Sequence, residues 1–167
     1  MINRRSLMGG VAIGGVVAAI GAAVGFRRPA LAAGATFEVT KSDAEWHKIL
    51  THDQYYVLRD HGTEARRTSP LDHEKRKGTY ACAGCDLPVY SSDAKFDSGT
   101  GWPSFWKPLP NAIGTSQDDT LFESRTEVHC RRCGGHLGHV FEDGPPPTGL
   151  RYCINGVAMT FTPAPAA

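Results

Sequence analysis

Two Cys-x-x-Cys pairs constrain this chain more than any other feature. Cys82-Ala83-Gly84-Cys85 and Cys130-Arg131-Arg132-Cys133 are separated by 44 residues. Each follows a β-like run and sits in a glycine-containing turn, which is the form of a metal knuckle. Two knuckles brought together give a tetrahedral four-sulfur shell that keeps every coordination position filled by protein and takes no part in chemistry. The expectation is one structural Zn2+ per chain on Cys82, Cys85, Cys130 and Cys133, with no organic cofactor. Residues alone leave other uses of the four thiols open. They could form two disulfides in an oxidising compartment, hold iron, or include a redox-active dithiol, although the βαβ context of such a motif is missing.

Composition agrees with a small stapled domain. Nineteen glycines and eleven prolines in 167 residues point to short strands and many turns. A formal net charge of +1 offers no electrostatic case for nucleic acid or an anionic membrane surface. Ser42 with Glu45, and Thr51 with Gln54, read as two capping boxes. They predict one short helix through Leu50 and a second to about Asp60, with Gly62 as its C′ residue. Residues 62–77 read as an ordered loop. From Gly78 onward, runs at 78–81, 87–90, 120–122, 126–129, 140–141 and 156–161 read as strands. The predicted fold is mainly β, antiparallel sheet after two short helices, with a frayed tail over 162–167.

The first 32 residues read as an export signal. Asn3-Arg4-Arg5-Ser6 is followed by an uncharged stretch from Leu7 to Phe26, and Ala30-Leu31-Ala32 supplies a cleavage site. The arginine pair points to the twin-arginine route. An exported, periplasmic domain over 33–167 is expected, with a core over about 42–161. Twenty uncharged residues are also enough to span a bilayer, so a retained membrane anchor stands beside the cleaved signal.

Cys153 has no sequence partner. Arg151 and Asn155 stand two residues away on either side, so in a strand all three share one face. A cation and an amide beside a thiol favour its thiolate; a buried structural cysteine is the bland reading. His136 and His139, at spacing three, lie in a segment too rich in glycine for a helix and precede Cys153 by 17 and 14 residues, which suits acid–base work. Asp143 sits in a Gly-Pro-rich turn within reach of Arg151. Trp102, in Gly101-Trp102-Pro103-Ser104-Phe105, is either core or one wall of a small-ligand pocket.

Taken together, Lys95-Phe96-Asp97-Ser98-Gly99-Thr100-Gly101-Trp102-Pro103-Ser104-Phe105, His136-Leu137-Gly138-His139-Val140-Phe141 and Gly149-Leu150-Arg151-Tyr152-Cys153-Ile154-Asn155 resemble methionine sulfoxide reductases of the B type. The resemblance covers roughly Ser42 to Phe161. It implies a β-tent of two antiparallel sheets, a structural zinc, and reduction of methionine-(R)-sulfoxide in oxidised proteins. Position by position, Cys153 would be the nucleophile and pass through a sulfenic acid. Trp102 would pack on the substrate methyl. His136, His139 and Asn155 would orient the sulfoxide or its water and move protons, with Arg151 and Asp143 supporting the thiolate. Many members carry a resolving cysteine where this chain has Thr100. The expectation is therefore a one-cysteine cycle with an external reductant: a thioredoxin-like protein, a glutaredoxin or a small thiol. A monomer is expected, with membrane contact only through an uncleaved signal. The rival reading is a zinc-stapled β-tent that binds a ligand or partner without catalysis.

Overall fold

The computed structural model describes residues 36–120 and 123–165. The export signal expected over 1–32 lies outside the described residues. Both capping boxes form. Ser42 and Thr51 accept from the backbone N–H of Glu45 and Gln54, whose side chains reach back to the cap N–H groups. Helices α1 (Asp43–Ile49) and α2 (His52–Leu58) follow, and they bury Trp46, Tyr55, Val57 and Leu58. The end of α2 differs from expectation. His61, with φ 56°, is the left-handed residue, and the Gly62 N–H closes on Tyr56 O at 2.9 Å. A Cβ at Gly62 would meet the exposed Tyr56 ring, which would have to swing aside.

Among the described residues nine strands follow: β1 (Gly78–Cys82), β2 (Pro88–Ser91), β3 (Lys95–Phe96), β4 (Ser104–Phe105), β5 (Ile113–Asp118), β6 (Arg125–Cys130), β7 (His136–Phe141), β8 (Arg151–Ile154) and β9 (Met159–Pro163). They form a three-stranded sheet, β2-β1-β9, and a six-stranded sheet, β3-β4-β8-β7-β6-β5. Among the described residues the seven strand pairings are antiparallel, as expected. The sheets meet through aromatic rings. Phe105 of β4 stacks on Tyr90 of β2 at 4.3 Å and meets Tyr80 of β1 edge-on at 5.0 Å. All three side chains are buried, and Phe105 contributes roughly 1.5–3 kcal/mol by leaving water.

Two expectations about elements fail for physical reasons, and a third falls partly outside the described residues. Residues 156–161 do not form one strand, because the amides of Gly156 and Val157 donate to the Glu64 carboxylate at 2.6 and 2.9 Å. A 3-10 turn over Gly156–Ala158 results, and β9 begins at Met159. The tail is held as far as Ala164, whose N–H donates to Lys77 O at 2.8 Å. Of the strand expected at 120–122 only Thr120 is described, and it is a bend; β5, just before it, was not expected. Thr120 instead turns back to cap the Asp118 carboxylate, and residues 121–122 lie outside the described residues.

Candidate active site

The two knuckles are built alike. Cys82 N–H donates to Leu87 O and the Asp86 N–H returns to Cys82 O; Cys130 N–H donates to Gly135 O and the Gly134 N–H returns to Cys130 O. The fifth residue of each is left-handed, Asp86 at φ 56° and Gly134 at φ 66°. Cys82 ends β1 and Cys130 ends β6, so the four sulfurs join the two sheets. Cys82 Sγ lies 3.7 Å from Cys133 Sγ, and Cys85 Sγ 3.5 Å from Cys130 Sγ. Sulfurs about 2.3 Å from a shared tetrahedral ion stand roughly 3.8 Å apart, whereas a disulfide needs about 2.0 Å. The residues fit a four-thiolate metal centre, and all four ligand atoms lie within 4.8 Å of one another.

Cys153 lies on β8 in the middle of the six-stranded sheet. Ser104 of β4 faces it on one side and His139 of β7 on the other. The row continues through Glu127 of β6 to Ser116 of β5. Directly opposed residues share a face, so this row forms one polar stripe across the sheet. Thr100 Oγ1 lies 3.9 Å from Cys153 Sγ and belongs to a hydroxyl chain, 2.8 Å from Ser98 Oγ, which is 2.7 Å from Ser104 Oγ. Arg151 holds Asp143 with two bonds of 2.8 Å and lays its guanidinium over Phe141 at 4.4 Å. Burial pushes the Cys153 thiol above its ordinary range, and Thr100 and Arg151 offset only part of this. Desolvation is the larger effect, and the nearby Asp143 charge adds a smaller push in the same direction.

His136 and His139 stand on the same face despite their spacing of three. The β6–β7 register runs Val128↔Gly138 and then His129↔His136, which leaves Leu137 as an inserted residue. This bulge turns His136 onto the side that Glu127 and His139 occupy. The two rings meet edge-on at 5.3 Å. Each is held by its own carboxylate. His136 Nδ1 lies 2.8 Å from Glu127 Oε1, and His139 Nε2 lies 2.7 Å from Asp118 Oδ2. Glu127 also meets His61 Nδ1 at 3.1 Å, accepts from Ser116 Oγ, and faces His129 Nδ1 at 3.8 Å. Burial works to raise its pKa, but these donors hold it well below the usual carboxylate range. Asp118 behaves alike: burial raises it, while Thr120, His139 and Arg125 together pull it far down. Burial lowers the pKa of His139, with Asp118 opposing, so the ring is neutral near pH 7. His136 Nε2 is buried with no hydrogen-bond partner among the described residues.

Asn155 follows β8 directly and is 4 % exposed. Its Nδ2 donates to Leu137 O at 3.0 Å, and its Oδ1 accepts the Glu64 N–H at 3.0 Å, which leaves one amide hydrogen for a ligand. Trp102 is half-buried and donates Nε1–H to Glu64 O at 3.1 Å. The loop read as 62–77 thus reaches the site through Glu64. Sequence reasoning missed Glu127, Asp118, His61 and Glu64. One available signal was Arg125-x-Glu127-x-His129, three titratable residues on one strand face.

Residues 50–163 match the SelR domain. Curated relatives that carry the name "Peptide methionine sulfoxide reductase MsrB" include the following three. The Agrobacterium fabrum protein is 56% identical over 127 residues, covering 75% of this chain and 94% of that protein. That of Leptospira interrogans is 52% identical over 126 residues, covering 75% and 96%. That of Pseudomonas putida is 50% identical over 131 residues, covering 78% and 98%. With its knuckles, its thiol-centred stripe and these matches along most of its length, the chain belongs to the SelR-domain family of MsrB methionine sulfoxide reductases.

Proposed function

We propose that this protein reduces protein-bound methionine-(R)-sulfoxide to methionine, with Cys153 as nucleophile. The observation that carries the reading is the placement of Cys153 opposite His139, on a face where two histidines are each tethered to an ionised carboxylate. A sulfoxide sulfur is attacked only when its oxygen is protonated or strongly hydrogen-bonded, because oxide leaves poorly. Thiolate attack with proton delivery breaks the S–O bond of the substrate and forms one on Cys153. Methionine is released and Cys153 becomes a sulfenic acid. His136 Nε2 and the spare Asn155 amide hydrogen suit the sulfoxide oxygen or its water, and Trp102 suits the methyl. Placing methyl and oxygen on different surfaces is what distinguishes the R from the S epimer.

Thr100 puts a hydroxyl beside Cys153 where an internal resolving thiol would stand. The sulfenic acid is then attacked by an external thiol, giving a mixed disulfide and water, and a second thiol frees Cys153. A thioredoxin-like protein, a glutaredoxin or a small thiol fills this role. The metal on Cys82, Cys85, Cys130 and Cys133 is zinc, which joins the sheets and takes no step in the reaction. Export through the twin-arginine signal places the repair activity in the periplasm, since Arg4-Arg5 precedes an uncharged stretch and a cleavage motif. An intact N-terminus in the membrane fraction would refute cleavage.

The test is turnover of R and S epimers of a peptidyl methionine sulfoxide with dithiothreitol, comparing wild type with Cys153→Ser. Reduction of the R epimer alone, lost in the variant by about 10^4-fold or more, is expected. Equal activity in the two proteins, or none in either, refutes the reading and favours a binding module.

A further inference from the structure

Resting on that reading, we propose that Asp118 is a positioning residue that makes His139 the base for Cys153, giving a Cys153–His139–Asp118 relay across the sheet. A nucleophile, a base within reach of it and a third group that orients the base are the parts such a relay needs. Cys153 and His139 are paired directly across β8 and β7, so their Cβ atoms stand about 4.5–5.5 Å apart on one face. Asp118, at the end of β5, reaches His139 Nε2 at 2.7 Å. Its other partners all donate: Thr120 N–H at 3.0 Å, Thr120 Oγ1 at 2.6 Å and Arg125 Nη2 at 2.6 Å. A carboxylate so surrounded is ionised and only accepts, so the hydrogen of neutral His139 sits on Nε2 and its lone pair on Nδ1.

The other charged groups around the ring are already engaged. Glu127, opposite His139 on β6, is turned to His136 and His61. Arg125 is bound to Asp118. From β8, Arg151 is bound to Asp143. His136 presents its ring edge-on at 5.3 Å, and Phe141 lies 6.4 Å away. Nothing in this set competes with Asp118 for Nε2. In the proposed step the Sγ–H bond of Cys153 breaks and Nδ1–H of His139 forms, with the electron pair left on sulfur. After attack the same proton goes to the oxygen now carried by Cys153. A thiol whose burial favours the neutral form needs such a base.

The deciding measurements use no sulfoxide, so failure of the relay is separate from failure of the reductase reading. In zinc-loaded full chain, 15N NMR of labelled histidines reads the His139 tautomer, and peptide mapping follows iodoacetamide alkylation of Cys153 against pH. Wild type should carry its His139 proton on Nε2. Asp118→Asn should lose that single tautomer and slow alkylation at pH 7 on the order of tenfold. In turnover kcat should fall similarly, with KM within about twofold, and Asp118→Glu should restore most of both. A wild-type proton on Nδ1, or a folded Asp118→Asn protein alkylated at the wild-type rate, overturns the proposal. If Asp118→Asn does not fold, the wild-type tautomer alone decides.

Discussion

Replacing Glu127 by glutamine removes one charge from the most buried carboxylate of the site. Glu127 is 7 % exposed and gathers His136, His61, Ser116 and, at longer range, His129. These groups donate to it. A carboxamide keeps one acceptor oxygen and aims its NH2 at donors, so at least two partners lose their acceptor. Hydrogen bonds to a charged group contribute about 1.5–3 kcal/mol each, and removing one side of a buried charged set costs about 3–5 kcal/mol. For a domain of this size that is a fall in Tm of roughly 10–20 °C. The pH dependence follows from the sign of the shift. The folded pKa of Glu127 is depressed, so its contribution is complete above the ordinary value of 4.5 and drains away as pH falls below it. Glutamine has no such dependence. Urea unfolding followed by circular dichroism, with zinc loaded, should show the gap between wild type and Glu127→Gln beginning to narrow from pH 6 to pH 4.5. A loss under about 1 kcal/mol at pH 7, or a gap that widens over that range, would refute the reasoning.

Cys85→Ser should abolish metal retention and leave the chain unfolded at 37 °C, because the binding free energy of such a site, about 10–16 kcal/mol, is spent on folding; elemental analysis and circular dichroism read both. Ser42→Ala removes the side-chain half of the α1 capping box and should cost about 0.5–2 kcal/mol, seen as a lower urea midpoint with turnover unchanged. Thr100→Cys puts sulfur where Oγ1 now lies 3.9 Å from Cys153 Sγ. After turnover without reductant, a non-reducing digest should find position 100 linked to Cys153; a free thiol at both positions counts against a resolving geometry there.

What the sequence made legible was local. Capping boxes, knuckles and the Arg151–Asp143 pair are set by spacings of a few residues, and each appears where the spacing put it. What it hid depends on register between strands. Asp118 ends a strand, Ile113–Asp118, whose residues are mostly polar and none fully buried, so no apolar alternation marks it. Glu127 looks like an ordinary strand charge until β7 is laid beside it. The two histidines at spacing three belong on opposite faces of a regular strand. Only the inserted Leu137 brings them together, and no property of Leu137 in the sequence announces a bulge.

That bulge explains why the metal centre and the thiol belong in one small domain. The second knuckle closes through Cys130 N–H to Gly135 O, and His136 is the next residue. Fixing Cys130 and Cys133 therefore fixes where β7 begins against β6, and with it the His129↔His136 pair and the inserted Leu137. Leu137 O then accepts both the backbone N–H of Asn155, at 2.8 Å, and its Nδ2, at 3.0 Å. Asn155 Oδ1 holds the Glu64 backbone; Glu64 O holds Trp102 Nε1; the Glu64 carboxylate holds the turn after β8. One run of bonds thus leads from the knuckle to both edges of the Cys153 site. A metal held by the four cysteines would set the geometry of His136, Asn155 and Trp102 from a distance, because a register error of one residue in β7 would turn its side chains to the other face.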